Sequence, residues 1–220
     1  MSPVLPPETL DHLWHDHILP RQLAHEGALV LHAGGVVVDG RAVALIADTG
    51  HGKSTLTASL HAAGHPILGD DALIVARPDG GAPPRVRAVY PSLRLNPDSA
   101  AAFFPGVEGR AMAHYSQKRH LPLGETAAEA PLALLVALGP EVPQVAATRL
   151  NPAEAVMRIV ANSFARDPGD RPRARERMRA AAALAAVVPV WEMRYRRDYA
   201  TLPEVHATIR RLLAGTGARP

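Results

Sequence analysis

Short apolar runs separated by glycine- and proline-bearing breaks outline the chain. Ala28-Leu-Val-Leu31 and Gly35-Val-Val-Val38 read as strands, and Arg41-Ala-Val-Ala-Leu-Ile46 follows across Asp39-Gly40, a dipeptide suited to a two-residue hairpin turn. Thr55-Leu-Thr-Ala-Ser-Leu60 reads as a helix reaching about Ala63 and stopped by Gly64. Pro66-Ile-Leu68 then leads into Gly69-Asp70-Asp71. Residues 72–76 and 86–90 are strand-like around a loop at 79–84, and Asn96-Pro-Asp98 opens a helix holding Ala100 to Phe104. Residues 106–124 are polar and poorly periodic, which predicts a mobile loop. Pro131–Leu138 is an apolar strand with a neighbour at 144–150. Helices open at Asn151-Pro152 and Asp170-Arg-Pro172, a strand spans 187–193, and a helix at 202–213 closes the chain. Residues 1–27, broken by Pro3, Pro6, Pro7 and Pro20, form a helical or irregular segment ahead of a single domain over 28–215. The alternation predicts an α/β fold, a mixed sheet with flanking helices, in which the early hairpin departs from a purely parallel arrangement.

Composition narrows the class. In 220 residues, 47% hydrophobic but only 4% aromatic, aliphatic side chains and alanine must fill the core. The chain has no cysteine, hence no disulfide framework and no thiolate metal site. No apolar stretch spans a bilayer and Met1–Glu8 does not resemble a signal peptide, so the expectation is a cytoplasmic protein without membrane contact. A net charge of +3 does not argue for nucleic acid. The charge is uneven: Arg171 to Arg211 holds ten arginines against four acids, either a solvated arginine-rich helix or a docking patch for an acidic partner.

The strongest local signal is Ala47-Asp-Thr-Gly-His-Gly-Lys-Ser54, set between a predicted strand and a predicted helix. That context suits a phosphate-cradling P-loop of Walker A type. Gly50 and Gly52 let backbone N–H groups curl toward phosphate oxygens, Lys53 supplies a compact charge, and the Ser54 hydroxyl suits Mg²⁺. Asp48, Thr49, Gly50, His51, Gly52, Lys53, Ser54 and Thr55 form the candidate nucleotide-binding set; Ala47 stands where the pattern has its first glycine. The chain has only two lysines, Lys53 and Lys118, so a lysine in the loop stands out against an arginine-rich background.

Asp70 and Asp71 follow the helix, at the end of an apolar run, where one carboxylate could serve a metal and the other take a proton. His32 lies between two strands. Arg94 and the Lys118-Arg119 pair are candidates for neutralising phosphate charge, with solvated positions as the plain alternative. His12, His15 and His17 have loosely metal-like spacing with no supporting acid or cysteine framework.

Leu31-His-Ala-Gly-Gly-Val36, Ala47–Thr55 and Gly64-His-Pro-Ile-Leu-Gly-Asp-Asp71 together resemble the catalytic core of HPr kinase/phosphorylase, and more closely its short HPr-kinase-like relatives. The likeness is strong over about 20–76 and weaker at Tyr90–Asp98, Lys118–Leu123 and Val188–Met193. It implies a P-loop core of the type shared with phosphoenolpyruvate carboxykinase, with ATP and Mg²⁺. By that likeness Lys53 binds phosphate, Ser54 and Asp71 hold the metal, Asp70 is the general base, and His32 supports the reacting centre. The chain has no room for the family's separate N-terminal domain and no Glu-x-Arg-Gly-x-Gly-like signature. This fits relatives that phosphorylate a serine of peptide natural products, such as lasso-peptide precursors, better than a carbon-regulation switch. The expectation is therefore an ATP-dependent serine kinase acting on a small protein or peptide, HPr-like or a precursor peptide. A non-catalytic nucleotide-binding regulator and a simple NTPase are the alternatives, and the sequence leaves homo-oligomerisation open.

Overall fold

Proline at the head of a helical stretch fixes φ where a backbone N–H would be idle, and the N-terminal segment uses it twice. In the computed structural model, which describes residues 5–48, 50–76 and 82–216, α1 (Pro7–His12) runs through a π-helical turn (Leu13–Ile18) into α2 (Leu19–His25). Pro20 thus sits in the first turn of α2 instead of breaking the segment.

Strand β1 (Leu29–Leu31) is separated from β2 (Ala33–Val38) by His32 alone, and β2 pairs antiparallel with β3 (Arg41–Ile46). Asp39 and Gly40 both take positive φ, 50° and 72°, as a two-residue hairpin turn of matching twist requires. Then come α3 (Lys53–Ala62), β4 (Ile67–Gly69), β5 (Leu73–Val75), β6 (Arg85–Ala88), β7 (Arg94–Leu95) and α4 (Pro97–Phe103). The stretch expected to be a mobile loop holds β8 (Arg110–Ala111) and β9 (Arg119–His120), which with β7 make a small antiparallel sheet. Two-residue strands carry no readable period; Leu121, beside β9, is buried among Leu93 and Leu95. The chain closes with β10 (Ala130–Leu138), β11 (Ala146–Arg149), α5 (Pro152–Ala161), α6 (Arg171–Val187), β12 (Val190–Arg194) and α7 (Leu202–Gly215). Asn151 and Glu154 form a reciprocal capping box at α5, and Asp170 caps α6.

The main sheet is mixed and mostly antiparallel: β10 joins β1-β5-β6 on one side to β3-β2-β4 on the other and also carries β12 and β11. Among the described strands, β10–β3 and β10–β12 are the parallel pairs. Helices cover both faces, so β3 and β10 bury both sides and read as unbroken apolar runs. Ala42, Ala44 and Ile46 pack with α5 and α6 through Ala155, Ile159, Ala181 and Leu184. Val43 and Leu45 pack with α3 and α7 through Leu56, Leu60, Val205, Ile209 and Leu213. Among the described residues no helix is long and apolar enough to cross a membrane.

Candidate active site

Strands β3 and β4 both run antiparallel to β2, so their carboxyl ends meet the start of β2 at one edge of the sheet. The parallel partners β10 and β12 end at the same edge. Loops leaving such ends form the crevices where α/β sheets bind ligands. His32, residues 47–48 and 50–52, and Asp70 with Asp71 are delivered there from three separate connections.

The turn before α3 is built for its glycines. Gly50 and Gly52 hold φ of 84° and 81°, Ala47 keeps a negative φ, and the His51 N–H closes on the Asp48 carbonyl at 3.2 Å. Any other residue at Gly52 would carry left-handed strain of about 1–2 kcal/mol. Asp48 is exposed, and His51, Ser54 and Thr55 are half-buried; Thr49 lies outside the described residues. The Thr55 hydroxyl is 3.2 Å from that of Ser99 on α4.

Lys53, in the first turn of α3, is buried and turned toward the aspartates. Its Nζ donates to the Asp70 backbone carbonyl at 2.5 Å and lies 3.7 Å from Asp70 Oδ1 and 3.5 Å from Asp71 Oδ1. Asp70 has no solvent exposure, and neither carboxylate oxygen completes a hydrogen bond within the protein. Burial pushes its pKa up, opposed by the Lys53 charge, by the nearby Ser54 hydroxyl and by Lys118. Burial pulls Lys53 down, opposed by Asp70. An orphaned buried carboxylate beside a buried ammonium is costly for a fold and is the arrangement expected where a ligand or proton completes the site.

His32 Nδ1 donates to the Asp71 carbonyl at 3.0 Å, which leaves Nε2 as an acceptor. Its pKa is lowered to about 3 by burial and then by the charges of Lys53, Lys118 and Arg21, so the ring is neutral. It stands edge-on to Phe164 and lines a cavity of about 390 Å³ together with Arg21, Asp48 and Phe164.

Arg94, only 2% exposed, pairs with Asp71 and with Asp16 from the π-helical turn, so its charge is committed within the protein. Asp16 had no sequence signal, because nothing local to either residue announces a contact between the N-terminal helices and β7. Lys118 faces the site half-buried, its pKa lowered by burial and supported by Asp70, whereas the next residue along the strand, Arg119, is exposed. Of the spaced histidines, His12 bonds Asp16, His15 stacks on Tyr90 at 4.2 Å, and His17 is exposed. Among the described residues no cluster of three histidine, aspartate or glutamate side chains could hold a metal ion.

Burial of neutral imidazoles gives the fold an acid weakness. His32 is held to about 3 as above; His120 falls to about 4 through burial and then Arg94, Arg110 and His12; His206, bonded to Ser59 at 2.8 Å, falls to about 4 through burial and then His65 and Arg210. Folded values below the unfolded 6.5 mean that the unfolded chain takes up protons first. The stability these rings contribute is complete above pH 6.5 and lost as pH falls toward 4, at up to about 1.4 kcal/mol per pH unit for the buried His206 and less for His32, whose side chain is 37% exposed and screened by solvent. Asp70, with its raised pKa, acts in the opposite direction. Urea midpoints should fall steadily from pH 7 to pH 5; a flat or rising series would contradict the buried neutral rings.

No family profile matches the chain. No relative is found among curated proteins. Solved structures that align with it include the Hpr(Ser) kinase/phosphatase from Coxiella burnetii, at 10% identity over 86% of this chain and 99% of that one, with a TM-score of 0.46. The chain's own residues, not this overlay, carry the functional reading.

Proposed function

We propose that the chain is an ATP-dependent kinase that transfers the γ-phosphoryl group to a serine hydroxyl of a small protein or peptide. The observation that carries this reading is the fully buried Asp70 carboxylate, paired with Lys53 and short of hydrogen-bond donors, at the mouth of a strand–glycine-turn–helix unit. In this reading residues 47–55 are a P-loop: backbone N–H groups and the α3 N-terminus receive the nucleotide's phosphates, and Lys53 turns from the aspartates to meet their charge. Ser54 and Asp71 are the residues that would hold Mg²⁺. Asp71 Oδ1 keeps Lys53 at 3.5 Å while Oδ2 is tied to Arg94, so the carboxylate is oriented in advance. When bound, that ion supplies charge neutralisation for the transferring phosphoryl group.

The acceptor hydroxyl enters from the cavity beside His32. Asp70 takes its proton as the serine oxygen bonds to the γ-phosphorus and the bond to the β-phosphate bridging oxygen breaks, leaving ADP and a phosphoserine. A raised carboxyl pKa makes Asp70 a better proton acceptor than an exposed aspartate. His32, neutral and bonded to the Asp71 carbonyl, fixes the backbone on which both aspartates hang.

The test is incubation with γ-labelled ATP, Mg²⁺ and serine-bearing acceptors, among them an HPr-like protein and ribosomally made precursor peptides. Label on an acceptor serine is the expected result. Phosphate release to water at a rate indifferent to every acceptor would make the chain an NTPase, and binding without turnover would make it a regulator; either overturns the kinase reading.

A further inference from the structure

We infer that Arg197 is a phosphate-binding residue of the nucleotide site, a cation that the fold places against the glycine turn beside Gly52. This rests on the nucleotide reading above and adds to it a residue outside the motif. Arg197 lies just beyond β12, on a loop leaving the same sheet edge as residues 47–48, 50–52 and Gly139. Its side chain runs alongside Gly52: a Cβ built on that glycine would stand 3.4 Å from Arg197 Cδ and 3.9 Å from both Nε and Nη1. The guanidinium is therefore next to the first turn of α3, where peptide N–H groups are unsatisfied and negative charge is favoured.

The arginine is anchored in a way that orients it and leaves its charge unused. Nη2 donates to the Gly139 carbonyl at 2.5 Å, and the guanidinium lies 5.6 Å from the Tyr195 ring centre. Glu141 takes the backbone N–H of Arg197 at 3.1 Å, not the guanidinium. The neighbouring Arg196 takes Asp198 at 3.2 Å. Among the described residues no carboxylate pairs with the Arg197 guanidinium, and its Nε is buried with no hydrogen-bond partner. Arg94 shows the contrast: equally near the site, it is neutralised by two aspartates. A planar cation held by one backbone carbonyl, with donors left over and facing a phosphate-type turn, suits the non-bridging oxygens of a nucleoside diphosphate or triphosphate. Asp70 and Lys53 serve the reacting end of such a ligand; Arg197, beside Gly52, adds a second cation for its phosphates.

The experiment is equilibrium binding of ATP, ADP and adenosine, each with Mg²⁺, to the wild-type chain, Arg197→Gln and Arg197→Lys, with unfolding midpoints measured in parallel. Arg197→Gln should weaken ATP and ADP by about ten- to a hundredfold, the range of a charge-assisted hydrogen bond, and leave adenosine unchanged. Arg197→Lys, which keeps the charge without the fork, should recover part of the loss. Wild type binding ADP no more tightly than adenosine would overturn the nucleotide reading itself. Wild type discriminating as expected while folded Arg197→Gln matches it, or losing adenosine affinity along with ATP and ADP in Arg197→Gln, would overturn the role of Arg197 alone. Should Arg197→Gln fail to fold, the lysine variant with wild-type ADP affinity also refutes a forked contact.

Discussion

Asp70→Asn should lower phosphoryl transfer by about a thousandfold, the middle of the range for losing a general base, with little change in nucleotide affinity. Asparagine keeps the shape and the backbone carbonyl that holds Lys53 at 2.5 Å, and Asp71 still faces Lys53 at 3.5 Å, so the ammonium stays in place. What disappears is a basic oxygen at a fully buried point. The loss should therefore fall on kcat rather than on KM. Asp70→Glu should not rescue it, because a carboxyl with no solvent exposure has no space for a longer arm. Wild-type activity should climb with pH through a value above the ordinary carboxylate range, since burial raises the Asp70 pKa. Near-normal transfer by a folded Asp70→Asn protein would remove Asp70 from the chemistry.

The sequence reads well where the determinants are local. Asp39-Gly40 needs only its own two residues to specify the β2–β3 hairpin, and the capping residues Asn151 and Asp170 mark their helices from one turn away. The apolar runs of β3 and β10 announce strands covered on both faces. The small sheet of β7, β8 and β9 was out of reach: pairs as short as Arg94–Leu95 with Arg119–His120 have no period, and their stability comes from Leu93, Leu95 and Leu121 packing under them. The N-terminal helices were blurred by prolines that the structure uses at helix starts.

The same division holds at the site. Lys53, Ser54, Asp70 and Asp71 were legible because a glycine turn, a helix and the strand behind it force them together. Arg94 was visible as a charge, but its commitment to Asp71 and Asp16 depends on where the first helices dock. Lys118 and Arg119 are indistinguishable in sequence; Lys118, just ahead of β9, turns toward the site, while Arg119 at the start of the strand faces solvent. Arg197 sits among ten arginines of the C-terminal stretch, and nothing but the sheet topology sets it apart.

Gly34→Ala should destabilise the fold by about 3 kcal/mol or more, at the upper end of overpacking costs, and lower Tm by roughly 6–12 °C. Strand β2 and helix α3 meet here with only the Thr57 side chain between them: a Cβ on Gly34 would stand 2.0 Å from Thr57 Oγ1 and 3.2 Å from its Cβ. Thr57 is fully buried and cannot swing aside without giving up its 2.9 Å hydrogen bond to the Lys53 carbonyl. Helix α3 must then retreat from the sheet, and it carries Lys53 in its first turn. Nucleotide affinity should fall along with stability, because the ammonium moves relative to Asp70 and the glycine turn. Thr57→Ala removes the nearest obstacle, so Gly34→Ala combined with Thr57→Ala should cost less than the sum of the two alone, with a coupling of about 2 kcal/mol. Unchanged Tm in Gly34→Ala, or simple additivity in the pair, would show that β2 and α3 do not approach so closely and that Lys53 owes its position to something other than this contact.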